Sequence, residues 1–379
     1  MRVFHFCHTY ISQTETFLFR CVEKSRESAA VSVFTFRLSN LKQFYPDGSS
    51  GLQIVHLHPF RQLPHSVGEA LRAARQLASG ITWQRRLESA LKSHEPALIH
   101  CHFGQMGVKF MEFIEGRNLS AKYVVSFYGA DASVAPVKDA EYAKALPRLW
   151  SSATGFLVEG PALGRKLAAL GAPAEKIHVW PLIIPVKQYR AKQHLADLKK
   201  GIRFLLVGRF VEKKGFNNFF QSLGQVKDKL PPFSVTIIGD GDLRPDYLKT
   251  IRTFGYEDRV HFLGFRPHTE CLALMLDHDV LVQASATAAN GDSEGGAPTI
   301  LIEAQAIGIP IISSDHADIP FVMGYSELQM PENNPGMLAE ILASLPNRTD
   351  LQDLVLRGRR KVELQHDAAT ARSPYVPFA

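Results

Sequence analysis

Residues 291–310, GDSEGGAPTILIEAQAIGIP, place a glycine-rich loop directly before an apolar segment that Gly308 and Pro310 interrupt. Proline suits the first turn of a helix, because its missing N–H group would have no partner there and its fixed φ is already helical. Pro298 therefore predicts a helix that begins at Thr299. The first turn of that helix would direct unpaired N–H groups and partial positive charge at the loop, which favours a phosphate as the occupant.

Two carboxylates flank this predicted anion site. Glu303 lies little more than one turn into the helix, where it could accept hydrogen bonds from vicinal hydroxyls such as those of a ribose. Glu294 lies in the loop, directly before Gly295 and Gly296. Because nothing here matches a P-loop, the pattern favours a nucleotide sugar over a nucleotide triphosphate. The alternative is an ordinary glycine loop before a buried helix, with both glutamates solvated.

Length and composition limit the kind of protein. The 379 residues suit two domains, and 45% hydrophobic with 21% charged residues is typical of globular proteins. No apolar run is long enough to span a bilayer, and the first residues lack signal-peptide features, so a cytoplasmic protein is predicted. The net charge of +6 suits an anionic surface or substrate, but no nucleic-acid-binding signature accompanies it. The four scattered cysteines predict buried, reduced thiols.

Short β-branched and aromatic runs alternate with helical patterns along the whole chain, which predicts an α/β protein with two doubly wound, Rossmann-like domains. The predicted strands are 2–7, 31–36, 52–57, 97–101, 122–127 and 154–158, then 202–207, 233–238, 259–263, 279–283 and 309–313. The predicted division is an N-terminal domain 1–185, a linker 186–200, a C-terminal domain 201–360 and a tail 361–379. With two such domains, the ligand is expected to bind in a cleft between them.

Polar residues follow three strands of the first half. In a parallel sheet the ligand lies beyond the carboxyl ends of the strands, so these loops are expected to converge. Isolated histidines more often pack or stay solvated, which is the alternative at each position. The residues predicted to face this crevice are His8, Thr14, Glu15, His102, Tyr128 and Asp131.

Residues 67–92 have apolar positions at helical spacing and arginines on the other side, with Gly80 dividing them. A solvated helix face explains this pattern. The alternative is docking on an anionic membrane surface, where basic amphipathic helices concentrate.

The second half contains two further motifs that could bind parts of a nucleotide, one its phosphates and the other its base. In VGRFVEKKGF, residues 207–216, Arg209 can hold phosphate oxygens in a fork and Lys213 or Lys214 adds a point charge. Gly264 follows a predicted strand, and its exposed backbone could meet a flat base; a plain turn is the alternative.

These motifs together are similar to a known family. VGRFVEKKGF, GDGDLR, FLGFRP and DSEGGAPTILIEAQAIGIPIISS resemble, in order and spacing, the nucleotide-binding half of family 4 retaining glycosyltransferases, which have the GT-B fold. In the first half, SQTETF, IHCHFG and SFYGADAS resemble the members that build bacterial exopolysaccharide, capsule and lipopolysaccharide.

The resemblance implies a function and a set of roles. It implies retaining transfer of a hexose from a UDP- or GDP-sugar to a saccharide or lipid-linked saccharide, at the inner face of the cell membrane and without a metal or other cofactor. The donor-binding residues would be Arg209, Lys214, Glu303, Gly295, Gly296, Thr299 and Gly264. Those at the catalytic centre would be Glu294, Asp131 and Tyr128, and those binding the acceptor His102, Thr14 and Glu15.

Two departures from the family pattern keep alternatives open. Eight residues separate Glu294 from Glu303 where the family has seven, and Tyr128 replaces a common histidine. A tyrosine hydroxyl can hydrogen-bond a sugar but cannot act as an imidazole base near neutral pH. The alternatives are a GT-B nucleotide-sugar 2-epimerase and a non-catalytic GT-B subunit that partners an active transferase.

Overall fold

A computed structural model of the chain describes residues 1–12, 16–46, 48, 51–57 and 83–378. The contacts divide the chain into two units. Unit 1 comprises Met1–Val158, Gly164–Trp180 and Arg372–Ala379, and unit 2 comprises Glu159–Leu163 and Pro181–Ala371.

This division differs from the predicted bounds. The predicted linker 186–200 is part of unit 2, where the N–H of Lys192 donates to the carbonyl of Ile307. The predicted tail 361–379 is split, because its first part continues the last helix of unit 2 and residues 372–379 belong to unit 1.

The described residues of unit 1 form a parallel sheet in the order β3-β2-β1-β4-β5-β6-β7. Its strands are β1 Arg2–Tyr10, β2 Ala30–Leu38, β3 Gln53–His56, β4 Leu98–His102, β5 Tyr123–Phe127, β6 Gly155–Val158 and β7 Ile177–Val179. Its helices are α1 Thr16–Arg26, α2 Leu41–Phe44, α3 83–94, α4 Gly104–Glu115, α5 Ala135–Lys138, α6 Ala140–Ser152 and α7 Pro161–Ala169, whose first residues belong to unit 2. All six strands predicted in this half are present, and among the described residues the three-residue β7 is the one strand that was not predicted.

Unit 2 contains a second parallel sheet in the order β10-β9-β8-β11-β12-β13 among its described residues. Its strands are β8 Ile202–Val207, β9 Phe233–Ile238, β10 Val260–Gly264, β11 Val280–Gln283, β12 Ile311–Ser314 and β13 Gln329–Met330. Its helices are α8 Phe216–Val226, α9 Arg244–Phe254, α10 His268–Asp277, α11 Thr299–Ile307, α12 Ile319–Val322, α13 Pro335–Ser344 and α14 Leu351–Gln365. The prediction of two doubly wound parallel sheets is confirmed.

Strand order determines where each sheet opens. β8 lies between β9 and β11, so the chain leaves β8 and β11 toward opposite faces of the sheet. Such a change of direction leaves a crevice at the carboxyl ends of the two strands. In unit 2 this crevice is bordered by residues 208–215 after β8 and 284–298 after β11.

Helix α11 begins at Thr299, as the position of Pro298 predicts. It ends at Gly308, whose φ of 84° lies in the left-handed region that favours glycine at helix ends. Every residue from Leu301 to Ile307 is buried, so the apolar sequence of α11 is that of an interior helix, and the carboxyl group of Glu303 is buried with it.

Candidate functional site

The loops after β8 and β11 meet in a buried ion pair. The ammonium of Lys214 lies 2.7 Å from Oε1 of Glu294, and the two side chains are only 15% and 9% exposed. Burial alone would raise the pKa of Glu294, but the nearby ammonium of Lys214 lowers it overall. Glu294 is therefore an ionised group, and Lys214 is held at the crevice.

Polar contacts fix the position of Glu294 from its other sides. The hydroxyl of Ser285 donates to Oε1 at 2.9 Å, and the N–H of Glu294 donates to Nε2 of His316 at 3.2 Å. Since Nε2 of His316 accepts, its Nδ1 carries the proton and donates to Glu332 at 2.5 Å. These partners were not predicted, because their contacts depend on how the residues after β11, β12 and β13 pack against one another.

The two adjacent lysines have different surroundings. The Lys213 ammonium is buried and lies 3.0 Å from both the Asp292 carboxylate and the Ser293 carbonyl, so it braces the glycine-rich loop. Lys214 alone faces Glu294. The structure thus resolves which of the two lysines lies at the crevice.

Arg209 follows β8 and is exposed. Within the described residues, its guanidinium makes no hydrogen bond or ion pair. At the neighbouring Gly208, an added Cβ atom would lie 3.3 Å from Cδ of Lys214, so the side chain of Lys214 passes close to this point of the loop. A free guanidinium beside a held ammonium is suited to bind a doubly charged anion.

Glu303 lies on α11, where its carboxylate contacts polar side chains from other parts of unit 2. Oε1 accepts from the Tyr189 hydroxyl at 3.0 Å and lies 2.9 Å from Nε2 of His268. Burial and the Glu303 carboxylate raise the pKa of Cys271 to about 11, so this thiol is protonated at neutral pH. Neither Tyr189 nor His268 was predicted, because they lie 114 and 35 residues from Glu303.

The predicted glycines have distinct geometries. Gly295 has a φ of 45°, in the left-handed region. A Cβ atom at Gly296 would lie 2.1 Å from the Glu159 carboxylate, so glycine allows this close approach. At the end of β10, Gly264 has a φ of 71° and precedes Phe265, whose side chain is 63% exposed. An exposed phenyl ring next to open backbone suits a flat ligand.

In unit 1, Asp131 is buried and bound to backbone. Its carboxylate accepts from the N–H groups of Gly104, Tyr128 and Gly129 at 2.9, 3.0 and 2.8 Å. Burial raises the pKa of Asp131, although these three N–H groups oppose the shift. Asp131 therefore joins the loop after β5 to the start of α4, and its role as a base stays a prediction.

The predicted acceptor contact of His102 does not agree with its position. His102 is the last residue of β4 and fully buried, with Nδ1 2.7 Å from the Tyr128 hydroxyl and Nε2 2.8 Å from Nδ1 of His5. It lies behind the half-buried Tyr128 and supports it. The other two predicted acceptor residues, Thr14 and Glu15, lie outside the described residues.

The hydrogen bonds continue from His5 into the interior of unit 1. The hydroxyl of Tyr375 lies 3.0 Å from Nε2 of His5 and 3.1 Å from Nδ1 of His100, and His100 in turn contacts Ser126 at 2.7 Å. Burial lowers the pKa of all three histidines, that of His100 to about 3, so they are neutral.

Cys21 lies close to these three imidazoles. The four possible ligand atoms are within 4.8 Å of one another, which is the grouping that a metal ion would need. However, every ring nitrogen of the three histidines already has a hydrogen-bond partner. The arrangement is a satisfied polar network. All four cysteines are buried and none forms a disulfide bond, as predicted.

Two predictions concern a membrane. Most of the amphipathic segment 67–92 lies outside the described residues; its end forms α3, which buries Trp83 and Leu87 and exposes Arg85 and Arg86. Within the described part of the chain, no helix has both the length and the apolar character needed to cross a bilayer.

Two known protein families match this chain, one over most of unit 1 and the other over most of unit 2. Residues 23–182 match the family "Glycosyl transferase 4-like domain", and residues 188–354 match "Glycosyl transferases group 1". The amylovoran biosynthesis glycosyltransferase AmsK of Erwinia amylovora is 35% identical over 267 residues, 70% of this chain. WcaL of Escherichia coli K12, provisionally named a colanic acid biosynthesis glycosyltransferase, is 31% identical over 270 residues, also 70%. The match spans 65% of the length of each relative.

Solved structures share the fold over nearly the whole chain. HepE of Anabaena, crystallised with UDP and with UDP-glucose, has a TM-score of 0.74 at 17% identity, covering 98% of this chain and 97% of HepE. The lipopolysaccharide outer core galactosyltransferase WaaB has a TM-score of 0.68, covering 97% and 96%. The fold is thus that of the GT-B class. The chain belongs to the glycosyltransferases that these two family models describe, and its sequence relatives include glycosyltransferases named for exopolysaccharide biosynthesis.

Proposed function

We propose that this protein is a glycosyltransferase of surface polysaccharide biosynthesis. It transfers a hexose, with retention at the anomeric carbon and without a metal ion, from a nucleotide-diphosphate sugar to a saccharide or lipid-linked saccharide. The observation that carries this proposal is the crevice of unit 2, where Lys214, Glu294 and the start of α11 lie in two loops that leave neighbouring strands.

Each part of a nucleotide sugar has a suitable partner in unit 2. Arg209 and Lys214 bind the diphosphate together with the N–H groups of the first turn of α11, which carry partial positive charge. Glu303, fixed by Tyr189 and His268, accepts hydrogen bonds from the ribose hydroxyls. Gly264 and Phe265 receive the base.

The Lys214–Glu294 pair has a role in both states of the site. Without donor, the carboxylate neutralises the ammonium and fixes its direction. With donor, the ammonium also binds the leaving diphosphate, and Glu294 is left to accept hydrogen bonds from hydroxyls of the transferred sugar. Fixed charges and N–H groups stabilise the leaving phosphate best when they require no reorganisation.

No protein nucleophile is required in this scheme. The bond between the anomeric carbon and the phosphate oxygen breaks, the acceptor oxygen bonds to that carbon on the same face, and the phosphate oxygen takes the acceptor proton. Asp131 keeps its three N–H contacts and holds the loop that presents Tyr128, whose hydroxyl contacts the acceptor.

Thermal-shift measurements with UDP, GDP, ADP and their sugars test the donor site. A ligand at 100 times its Kd stabilises the protein by about 2.7 kcal/mol, so the correct nucleotide should stand out. Arg209→Ala and Glu303→Ala should each reduce that shift. Arg360→Ala, which removes an exposed arginine of α14, serves as the control and should leave the shift unchanged. If both site variants respond like the control, the assigned site is wrong.

Product analysis tests the reaction. We expect transfer in the presence of EDTA, with the anomeric configuration of the donor kept in the product by NMR. Conversion of a UDP-N-acetylhexosamine to its 2-epimer without any acceptor would instead make the protein an epimerase. The proposed site of action is the inner face of the cell membrane, and sedimentation with anionic vesicles tests it.

A further inference from the structure

Unit 2 contains a groove of about 660 Å³ between α8 and α9, a volume within the range of small-ligand sites. None of the side chains proposed to bind the donor, Arg209, Lys214, Glu294 and Glu303, lines this groove. One end is formed by Glu212 and Gly215, which flank the two lysines of the loop after β8. The groove is therefore a separate site that begins beside the proposed donor site.

Tyr247 forms the floor of this groove. Its ring packs among Phe210, Phe216 and Phe220, with ring centroids 5.3, 6.0 and 5.3 Å away, and the residue is 1% exposed. Within the described part of the chain, its hydroxyl has no hydrogen-bond partner, and it is not one of the fully enclosed polar atoms. The hydroxyl therefore opens into the groove, where it is available to donate a hydrogen bond to a ligand or accept one from it.

The wall formed by α8 presents carboxamides. Asn217, Gln221 and Gln225 follow at intervals of four residues, so they lie on one face of the helix. The oxygen of Asn217 accepts from the Thr250 hydroxyl, which leaves its NH₂ group to donate. Gln221 and Gln225 make no side-chain hydrogen bond to any described residue. Each carboxamide can both donate and accept.

The wall formed by α9 presents an aromatic ring. Phe254 is half-buried, and a Cβ atom at Gly224 of α8 would lie 2.2 Å from its ring. Glycine at position 224 therefore allows the ring to lie directly against α8. The ring also lines the groove, where it offers an apolar surface among the polar groups.

We infer that this groove binds a saccharide chain. Sugar hydroxyls donate and accept at neighbouring positions, as the carboxamides and the Tyr247 hydroxyl do, and the apolar C–H face of a sugar ring suits Phe254. A nucleic acid would need several cations, and Lys249 is the single cationic side chain that lines the groove among the described residues. The identity of this saccharide rests on the proposed function: it is the acceptor saccharide that the enzyme extends, and the groove holds it beside the donor site.

Binding to an array of bacterial surface-polysaccharide fragments, without nucleotide, tests this inference. Tyr247→Phe removes only the unpartnered hydroxyl, so it should not lower the melting temperature but should weaken binding of the retained fragment about fivefold to tenfold. A double variant, Gln221→Ala with Gln225→Ala, should weaken it further. Gln352→Ala removes an exposed glutamine of α14 and serves as the matched control.

Two results would overturn the inference. The first is that no fragment binds the wild-type protein; the second is that a fragment binds all variants equally. The thermal shift with nucleotide is measured on the same samples. If that shift persists while no fragment binds, the groove has no such role and the proposed function stands; if the shift is also absent, the proposed function fails separately.

Discussion

Replacing Lys214 by methionine should destabilise unit 2 through the carboxylate that it leaves behind. The pair is 2.7 Å apart and largely buried, and removing one partner of a buried ion pair costs about 3–5 kcal/mol. Because both side chains keep some exposure, we expect about 3 kcal/mol, which corresponds to a melting temperature roughly 6–12 °C lower for a unit of this size.

The pH dependence of that loss identifies its cause. In the wild-type protein the pKa of Glu294 lies below its ordinary value of 4.5, so the stabilisation is present above pH 4.5 and is lost as the pH falls below it. In Lys214→Met, burial without the ammonium raises the pKa of Glu294 instead. The deficit relative to wild type should therefore be large at pH 7.5 and shrink as the pH approaches 4.5.

Urea denaturation of four proteins separates the contributions. These are the wild type, Lys214→Met, the double variant Lys214→Met with Glu294→Gln, and the control Lys187→Met, which removes an exposed lysine of the same unit. The double variant should recover most of the loss, because no buried charge remains without a partner. A deficit below about 1 kcal/mol for Lys214→Met, or one that does not change with pH, would refute the reasoning.

Three further predictions concern the donor site and the polar network of unit 1. Arg209→Ala should weaken binding of the nucleotide diphosphate about tenfold to a hundredfold, measured by isothermal titration. The melting temperature should change little, because the guanidinium makes no hydrogen bond or ion pair within the described residues. Tyr375→Phe should destabilise unit 1 by about 1–3 kcal/mol in urea denaturation, since ring nitrogens of His5 and His100 lose their partner; an unchanged midpoint would contradict this. Burial lowers the pKa of His5, His100 and His102 below 6.5, so the free energy of unfolding should fall as the pH drops below 6.5, by up to about 2 kcal/mol per histidine at pH 5. A free energy of unfolding that stays constant between about pH 7.5 and 5 would argue against neutral buried imidazoles.

The sequence is most informative where the signal is local. Strands β8 and β9 have the predicted bounds, because both are continuous apolar runs between clear breaks, and Pro298 and Gly308 mark the two ends of α11. Strands β7 and β13 were not predicted, because their three and two residues are too few to show the alternation of side chains that is typical of a strand.

Contacts between distant residues could not be predicted in the same way. The Tyr375 hydroxyl meets His5 across 370 residues, and no periodicity carries that information. The same reason explains why His102 was expected at the acceptor: its position at a strand end is visible in the sequence, but the burial of its ring behind Tyr128 depends on packing. The linker was misplaced because residues 186–200 lack a regular period and yet pack onto unit 2.

The proposed function requires that the loops after β8 and β11 hold the diphosphate of a nucleotide sugar. A crystal structure of the protein with the nucleotide that gives the largest thermal shift tests this most directly. We expect the diphosphate within hydrogen-bond distance of Arg209, Lys214 and the first N–H groups of α11, with the ribose on Glu303. A nucleotide bound elsewhere, with Lys214 still paired to Glu294 and Glu303 away from any ligand, would contradict the account.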